Sequence, residues 1–136
     1  MAQTILVVDD NETFLGMLCS LLEIRGYHTI AARSAADALV VAAGDGIAAI
    51  VTDVDMPRTD GFELVRQLKE QDKSKGRDIP AWIMTGTLRP GMARKAEAAG
   101  AVGLFRKPFN AEEIGRALAE HLGGASDTPP SVATSA

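Results

Sequence analysis

Short apolar runs alternate with segments of helical spacing along most of the chain. Thr4-Ile5-Leu6-Val7-Val8, His28-Thr29-Ile30, Ile47 to Val51 and Ile79 to Met84 are rich in strand formers. Each is apolar nearly throughout, the pattern of strands buried on both faces of a parallel sheet. A fifth, weaker run, Ala101 to Phe105, is interrupted by Gly103. Between and after these runs lie five helical stripes. Phe14, Leu18, Leu21 and Leu22 follow Asn11, and Ser34 with Asp37 marks the start of the second helix. Phe62, Val65 and Leu68 form the third stripe, Met92 to Ala99 the fourth, and Ile114, Leu118 and Leu122 the fifth, opened by Asn110 with Glu113. Paired capping residues of this kind satisfy the free N–H groups of a first helical turn. Five β–α repeats predict an α/β fold, a doubly wound five-stranded parallel sheet, (βα)5.

Composition limits what such a domain does. With 136 residues, 46% of them apolar and 24% charged, the chain has material for one soluble core. A formal charge of −4 offers no basic footprint, so no direct nucleic-acid contact is expected. No apolar run approaches a membrane span, and the N-terminus has no basic stretch before its apolar run. A lone Cys19 forms no internal disulfide, and a cytoplasmic location is the expectation. From Gly123 onward the chain is rich in Gly, Pro, Ser and Thr, with Val132 its one large apolar residue. The expected organisation is therefore a domain over 1–122 and a disordered tail or linker over 123–136. The run from Lys69 to Asp78 mixes both charge signs and reads as a solvated helix end and loop.

Candidate chemistry sits where the strands end, since ligands of open α/β sheets bind at the carboxyl edge. Asp9 and Asp10 end the first strand, Asp53 the third and Thr85 the fourth, and Lys107 follows the fifth. One polar strand end is ordinary loop chemistry; four together are a pattern. Three carboxylates about 4 Å apart repel by roughly 4 kcal/mol per pair at an effective dielectric near 20. With Lys107 the group carries a net charge of −2. A divalent cation offsets that, and Mg²⁺ suits hard oxygens and an incoming phosphate.

These residues resemble the receiver domains of two-component response regulators. The resemblance runs from Thr4 to about Leu122 and includes VVDD at 7–10, TDVDMPRTDG at 52–61, MTG at 84–86 and KPF at 107–109. It implies a flavodoxin-like fold and a phosphoryl group taken from a histidine kinase or histidine phosphotransferase onto Asp53. It also implies Mg²⁺ held by Asp10, Asp53 and the main-chain carbonyl of Asp55, with Asp9 acting through a metal-bound water. Thr85 and Lys107 would bind phosphoryl oxygens, and Lys107-Pro108 would be a cis peptide. A downstream protein would dock on the face from the fourth to the fifth helix, where Arg89, Arg94, Lys95 and Arg106 offer charge. The domain would catalyse only its own phosphorylation and dephosphorylation, with no separate substrate turned over.

Two positions qualify the resemblance. Asp60 reads as the cap of the third helix, whereas Asp55 is either an exposed turn residue or a modulator of phosphoryl lifetime. The family's switch pairs the Thr85 hydroxyl with an aromatic residue three positions before the lysine, and here that position is Leu104. Phe105 is adjacent but should face the other side of the strand. Two other readings stay open: an adaptor that docks without phosphorylation, and a haloacid-dehalogenase-type phosphatase suggested by Asp53-Val54-Asp55. The output implied for a receiver stays open among a stand-alone messenger, a phosphate sink, a relay member and a receiver excised from a longer protein.

Overall fold

In the computed structural model, which describes residues 2–107 and 111–122, the apolar runs become five parallel strands. They are β1 (Thr4–Val8), β2 (His28–Ala32), β3 (Ile47–Asp53), β4 (Ala81–Thr85) and β5 (Gly103–Arg106). Their order in the sheet is β2-β1-β3-β4-β5. Helices α1 (Glu12–Ile24), α2 (Ala35–Ala43), α3 (Gly61–Ser74), α4 (Met92–Ala99) and α5 (Ala111–Leu122) connect or follow them.

Strand alternation sorts the core into two layers. Ile5, Val7, Val51, Trp82, Met84 and Phe105 pack with Leu15, Leu18 and Leu22 of α1 and with Ile114 and Leu118 of α5. Leu6, Val8, Ile50 and Ile83 pack with the inner faces of α2, α3 and α4. β4 is buried at every position, as a central strand covered on both sides must be. β2 departs from the expected burial: His28, Ile30 and Ala31 are exposed. It pairs only with β1 at the rim of the sheet, where the covering helices reach it incompletely.

Capping follows the sequence. Asn11 accepts the Phe14 N–H at 3.0 Å, Ser34 the Asp37 N–H at 3.1 Å and Asp60 the Glu63 N–H at 2.8 Å. The expected Asn110 cap, the Lys107-Pro108 peptide and the tail over 123–136 lie outside the described residues. The buried stripe of α1 includes Leu15, while Phe14 and Leu21 are only half-buried.

The charged run from Lys69 to Asp78 is not simply solvated. Asp72 is 2% exposed. Its carboxylate accepts the Ile79 N–H at 2.8 Å and Arg77 Nε at 3.1 Å. Arg77 also donates to the carbonyls of Gly44, at 2.9 Å, and Ala42, at the end of α2. Lys69 bridges the Asp78 carboxylate and the Ile79 carbonyl at 2.6 and 2.7 Å. The carbonyls of Ala42 and Gly44 lie on another element, so the charge pattern of the run alone does not reveal that Arg77 joins it to α2. The same network gives β4 its later start: Ile79 donates to a carboxylate, and Pro80 has no N–H for the ladder.

Candidate functional site

The ends of four strands, β1, β3, β4 and β5, bring the expected polar residues to the carboxyl edge of the sheet. Asp9 and Asp53 are nearly buried, at 1% and 4% exposure, and Asp10 beside them is open to solvent. One carboxylate oxygen from each of the three lies within 4.8 Å of the others. Asp9 is fixed at both ends: its N–H donates to the Ala32 carbonyl at 3.1 Å, and its Oδ1 accepts the Asn11 N–H at 3.0 Å. Lys107 is held by its own N–H on the Thr85 carbonyl at 2.7 Å. From there its Nζ reaches Asp9 Oδ2 and Asp53 Oδ1, each at 2.8 Å.

Phe14 completes the wall. Lys107 Nζ lies 4.1 Å from the centroid of its ring, within cation–π range. The α1 stripe in the sequence gives Phe14 a core role and hides this contact. Gly61 has a tighter role than shaping a turn. A Cβ there would meet the Asp53 carbonyl oxygen and stand 2.8 Å from Val54 Cα, so only glycine lets α3 start against the end of β3.

The electrostatics are unbalanced. Burial raises the Asp53 pKa, the Lys107 hydrogen bond opposes that rise, and the Asp9 charge adds to it; the net shift is upward. For Lys107, burial lowers the pKa, but hydrogen bonds and charges from Asp53 and Asp9 outweigh it and hold the ammonium above its ordinary value. One lysine shared by two buried carboxylates leaves Asp10 without a cation in contact among the described residues, and the group at −2. Three convergent hard oxygens, one of them open to water, fit Mg²⁺ and a phosphate ligand.

A sequence profile described as "Response regulator receiver domain" matches residues 5–119. The chain belongs to the response regulator receiver domain family. This receiver is 37% identical over 116 residues to the response regulator MprA of Mycobacterium bovis, a match covering 84% of this chain and 48% of that protein. The chain thus spans about half the length of MprA. It is 27% identical to the polar-differentiation response regulator DivK of Brucella ovis, over 92% of this chain and 100% of that one. Among solved structures it resembles the chemotaxis protein CheY4 of Vibrio cholerae, with TM-score 0.80, 30% identity and coverage of 88% and 98%. It also resembles the receiver domain of the sensor histidine kinase PA1611 of Pseudomonas aeruginosa, described with a magnesium ion in its active-site cleft. That match has TM-score 0.80, 25% identity and coverage of 91% and 100%.

The remaining expected residues of the receiver are placed differently. Thr85 ends β4 and is fully buried, but its hydroxyl donates to the Thr87 carbonyl at 2.8 Å and accepts the Thr87 N–H at 3.2 Å. Among the described residues the hydroxyl therefore meets its own loop and, at 4.0 Å, Met92 Sδ at the start of α4, and no carboxylate. Leu104 packs against the α4 side of the core beside Ile83, its partner in register. Phe105 faces the opposite layer and stacks on Trp82 with ring centroids 6.5 Å apart. The aromatic residue of β5 is thus turned away from Thr85. Asp55 is exposed, 3.8 Å from Arg89, a partner with no signal in the sequence spacing. Asp60 is the cap of α3. No helix among the described residues is long and apolar enough to cross a membrane.

Proposed function

We propose that Asp53 accepts a phosphoryl group from the phosphohistidine of a kinase or phosphotransferase, with Mg²⁺ at Asp9, Asp10, Asp53 and the main-chain carbonyl of Asp55. The observation that carries this reading is the convergence of three carboxylates within 4.8 Å of one another, with one lysine shared by two of them, Asp9 and Asp53. A carboxylate oxygen of Asp53 attacks phosphorus in line. An O–P bond forms as the P–N bond of the donor breaks, and the leaving imidazole keeps the electron pair. The bound cation supplies positive charge to the carboxylates and to the phosphoryl oxygens. Lys107, held by Asp9 and stacked on Phe14, stays on Asp53 and meets a phosphoryl oxygen as it arrives. Thr85 reaches the phosphoryl group only by leaving Thr87, and that exchange would move the β4–α4 loop.

The loop leads to the face from α4 to α5, where Leu88 and Val102 are 55% and 45% exposed and Arg94 and Arg106 are solvent-facing. This is the surface we assign to a downstream protein. Because Leu104 replaces the expected aromatic residue, an adaptor that binds equally in both states is the competing reading; it predicts the same partner affinity with and without phosphorylation. The site itself is tested by intact-mass analysis after incubation with acetyl phosphate, with and without Mg²⁺. A Mg²⁺-dependent phosphoryl adduct on the wild type that is absent from Asp53→Asn is expected. An adduct that persists in Asp53→Asn would refute the assignment.

A further inference from the structure

The crevice carries a fourth carboxylate that the phosphoacceptor chemistry leaves unused. Asp55 stands two residues beyond Asp53 with its side chain 62% exposed, and its Oδ1 lies 3.8 Å from Arg89 Nη2. An ion pair this open contributes little to stability. Its interest is in what it joins, because Asp55 belongs to the β3–α3 loop and Arg89 to the β4–α4 loop.

Arg89 is tied to α4 at its other end. Its N–H points to Met92 Sδ at 3.2 Å, and its carbonyl accepts the Met92 N–H at 3.2 Å. Met92 is 3% exposed, and the same sulfur lies 4.0 Å from Thr85 Oγ1. Thr85, Met92, Arg89 and Asp55 therefore form one string of contacts from the buried hydroxyl back to the mouth of the crevice. Asp55 adds a negative charge to a site already at −2, and among the described residues Arg89 is the cation in contact with it.

We propose that Arg89 is a positioning residue: it holds the Asp55 carboxylate on the β4–α4 side of the crevice, away from the cation and the hydrolytic water, and so prolongs the phosphoryl group on Asp53. This rests on the reading of Asp53 as phosphoacceptor. In hydrolysis, the water oxygen bonds to phosphorus while the O–P bond to Asp53 breaks; the carboxylate is given back, and inorganic phosphate leaves with the water's oxygen and both of its protons, one of which it can pass to solvent. A carboxylate free to swing over the phosphorus accepts a hydrogen bond from that water and orients it. Tethered to Arg89, Asp55 does not reach it.

The test uses Arg89→Ala, Arg89→Lys, Asp55→Ala and the double variant Asp55→Ala/Arg89→Ala. Each is loaded with acetyl phosphate and Mg²⁺, the donor is removed, and loss of the adduct is followed by intact mass. In parallel, Mg²⁺ is titrated into the unphosphorylated proteins by calorimetry. Arg89→Ala should lose phosphate about two- to fivefold faster and bind Mg²⁺ tighter by a similar factor, the fold-change of one exposed ion pair. Arg89→Lys should stay near the wild type, and the double variant should match Asp55→Ala in both measurements. Wild-type lifetime and Mg²⁺ affinity in Arg89→Ala would overturn the proposal, as would an Arg89→Ala effect that survives in the Asp55→Ala background. If the wild type takes no phosphoryl group, the Asp53 reading fails, and the Mg²⁺ titration alone decides whether Arg89 acts through Asp55.

Discussion

Replacing Arg77 by alanine should cost far more than a charged loop residue suggests. The Asp72 side chain is 3% exposed and Arg77 23% exposed, so the pair is largely out of water. The variant loses the Nε bond to Asp72 and the two guanidinium bonds to the carbonyls that end α2. Hydrogen bonds to charged groups contribute about 1.5–3 kcal/mol each, and breaking a buried pair from one side costs about 3–5 kcal/mol. The partial exposure of Arg77 lets some water return to Asp72, which places the expected loss near the lower end, about 3 kcal/mol.

Urea unfolding followed by the fluorescence of Trp82, the single tryptophan and 3% exposed, measures it directly. The midpoint should fall with little change in slope. Arg77→Lys should recover less than half of the loss, because one ammonium cannot span a carboxylate and two carbonyls. Asp72→Ala/Arg77→Ala should lose less than the sum of the single variants, since no orphaned carboxylate remains. A loss below about 1 kcal/mol in Arg77→Ala would refute the reasoning and class the pair with exposed ion pairs. Since the network lies before β4, at the edge opposite the carboxylates, folded Arg77→Ala should still form the phosphoryl adduct.

Three further variants probe the site. Asp53→Asn should raise the stability of the metal-free protein at pH 7, because the folded-state pKa of Asp53 is raised. A raised acid leaves stability intact when protonated and removes it as pH climbs from the ordinary carboxylate value through the raised one, so the advantage of Asn should vanish in acid. Phe14→Leu keeps apolar bulk but removes the ring under Lys107, and phosphorylation by acetyl phosphate should slow about two- to twentyfold, following the loss of a cation–π contact. Gly61→Ala should destabilise by about 1–3 kcal/mol, as overpacking against main chain does, and slow phosphorylation by displacing Asp53. Helix propensity alone would give that substitution the opposite sign, so unfolding data decide between the two effects.

The repeat of strands and helices is legible in the sequence because period 2 and period 3.6 leave different traces, and α4 begins and ends where its stripe does. The carboxylates and Lys107 are legible for a topological reason: residues that end parallel strands share one edge whatever their separation in the chain. Exposure of β2 depends on strand order, which local pattern does not contain. In α1, residues 14, 15, 18 and 22 lie on neighbouring sectors of one helix, and only the packing angle decides that Leu15 enters the core while Phe14 turns to Lys107. The Asp72 network is hidden because Arg77 finds Ala42 and Gly44 more than 30 residues away. Thr85 is legible as a strand end, but the engagement of its hydroxyl by Thr87 depends on the path of the following loop, which the sequence pattern does not contain.

Carboxylates lie at both edges of the sheet in opposite electrostatic conditions, and the contrast explains how a stable domain keeps a site primed for a cation. Before β4, one buried carboxylate has an arginine and a backbone N–H, and the arrangement ties α2, α3 and β4 together. Beyond β1 and β3, three carboxylates converge with one lysine between two of them, and Asp53 is held less acidic than a free aspartate. The repulsion there is tolerated because the rest of the fold fixes the strands that carry it. A cation at that edge relieves strain already present, so its binding should stabilise the fold progressively as its concentration passes the dissociation constant. In the proposed reaction a phosphoryl group would then bring negative charge to the same edge, and Thr85 would be the buried donor to turn toward it. Such a turn would break the Thr87 contact and draw on the string through Met92 and Arg89, a route from the crevice to α4 that needs no aromatic residue at position 104.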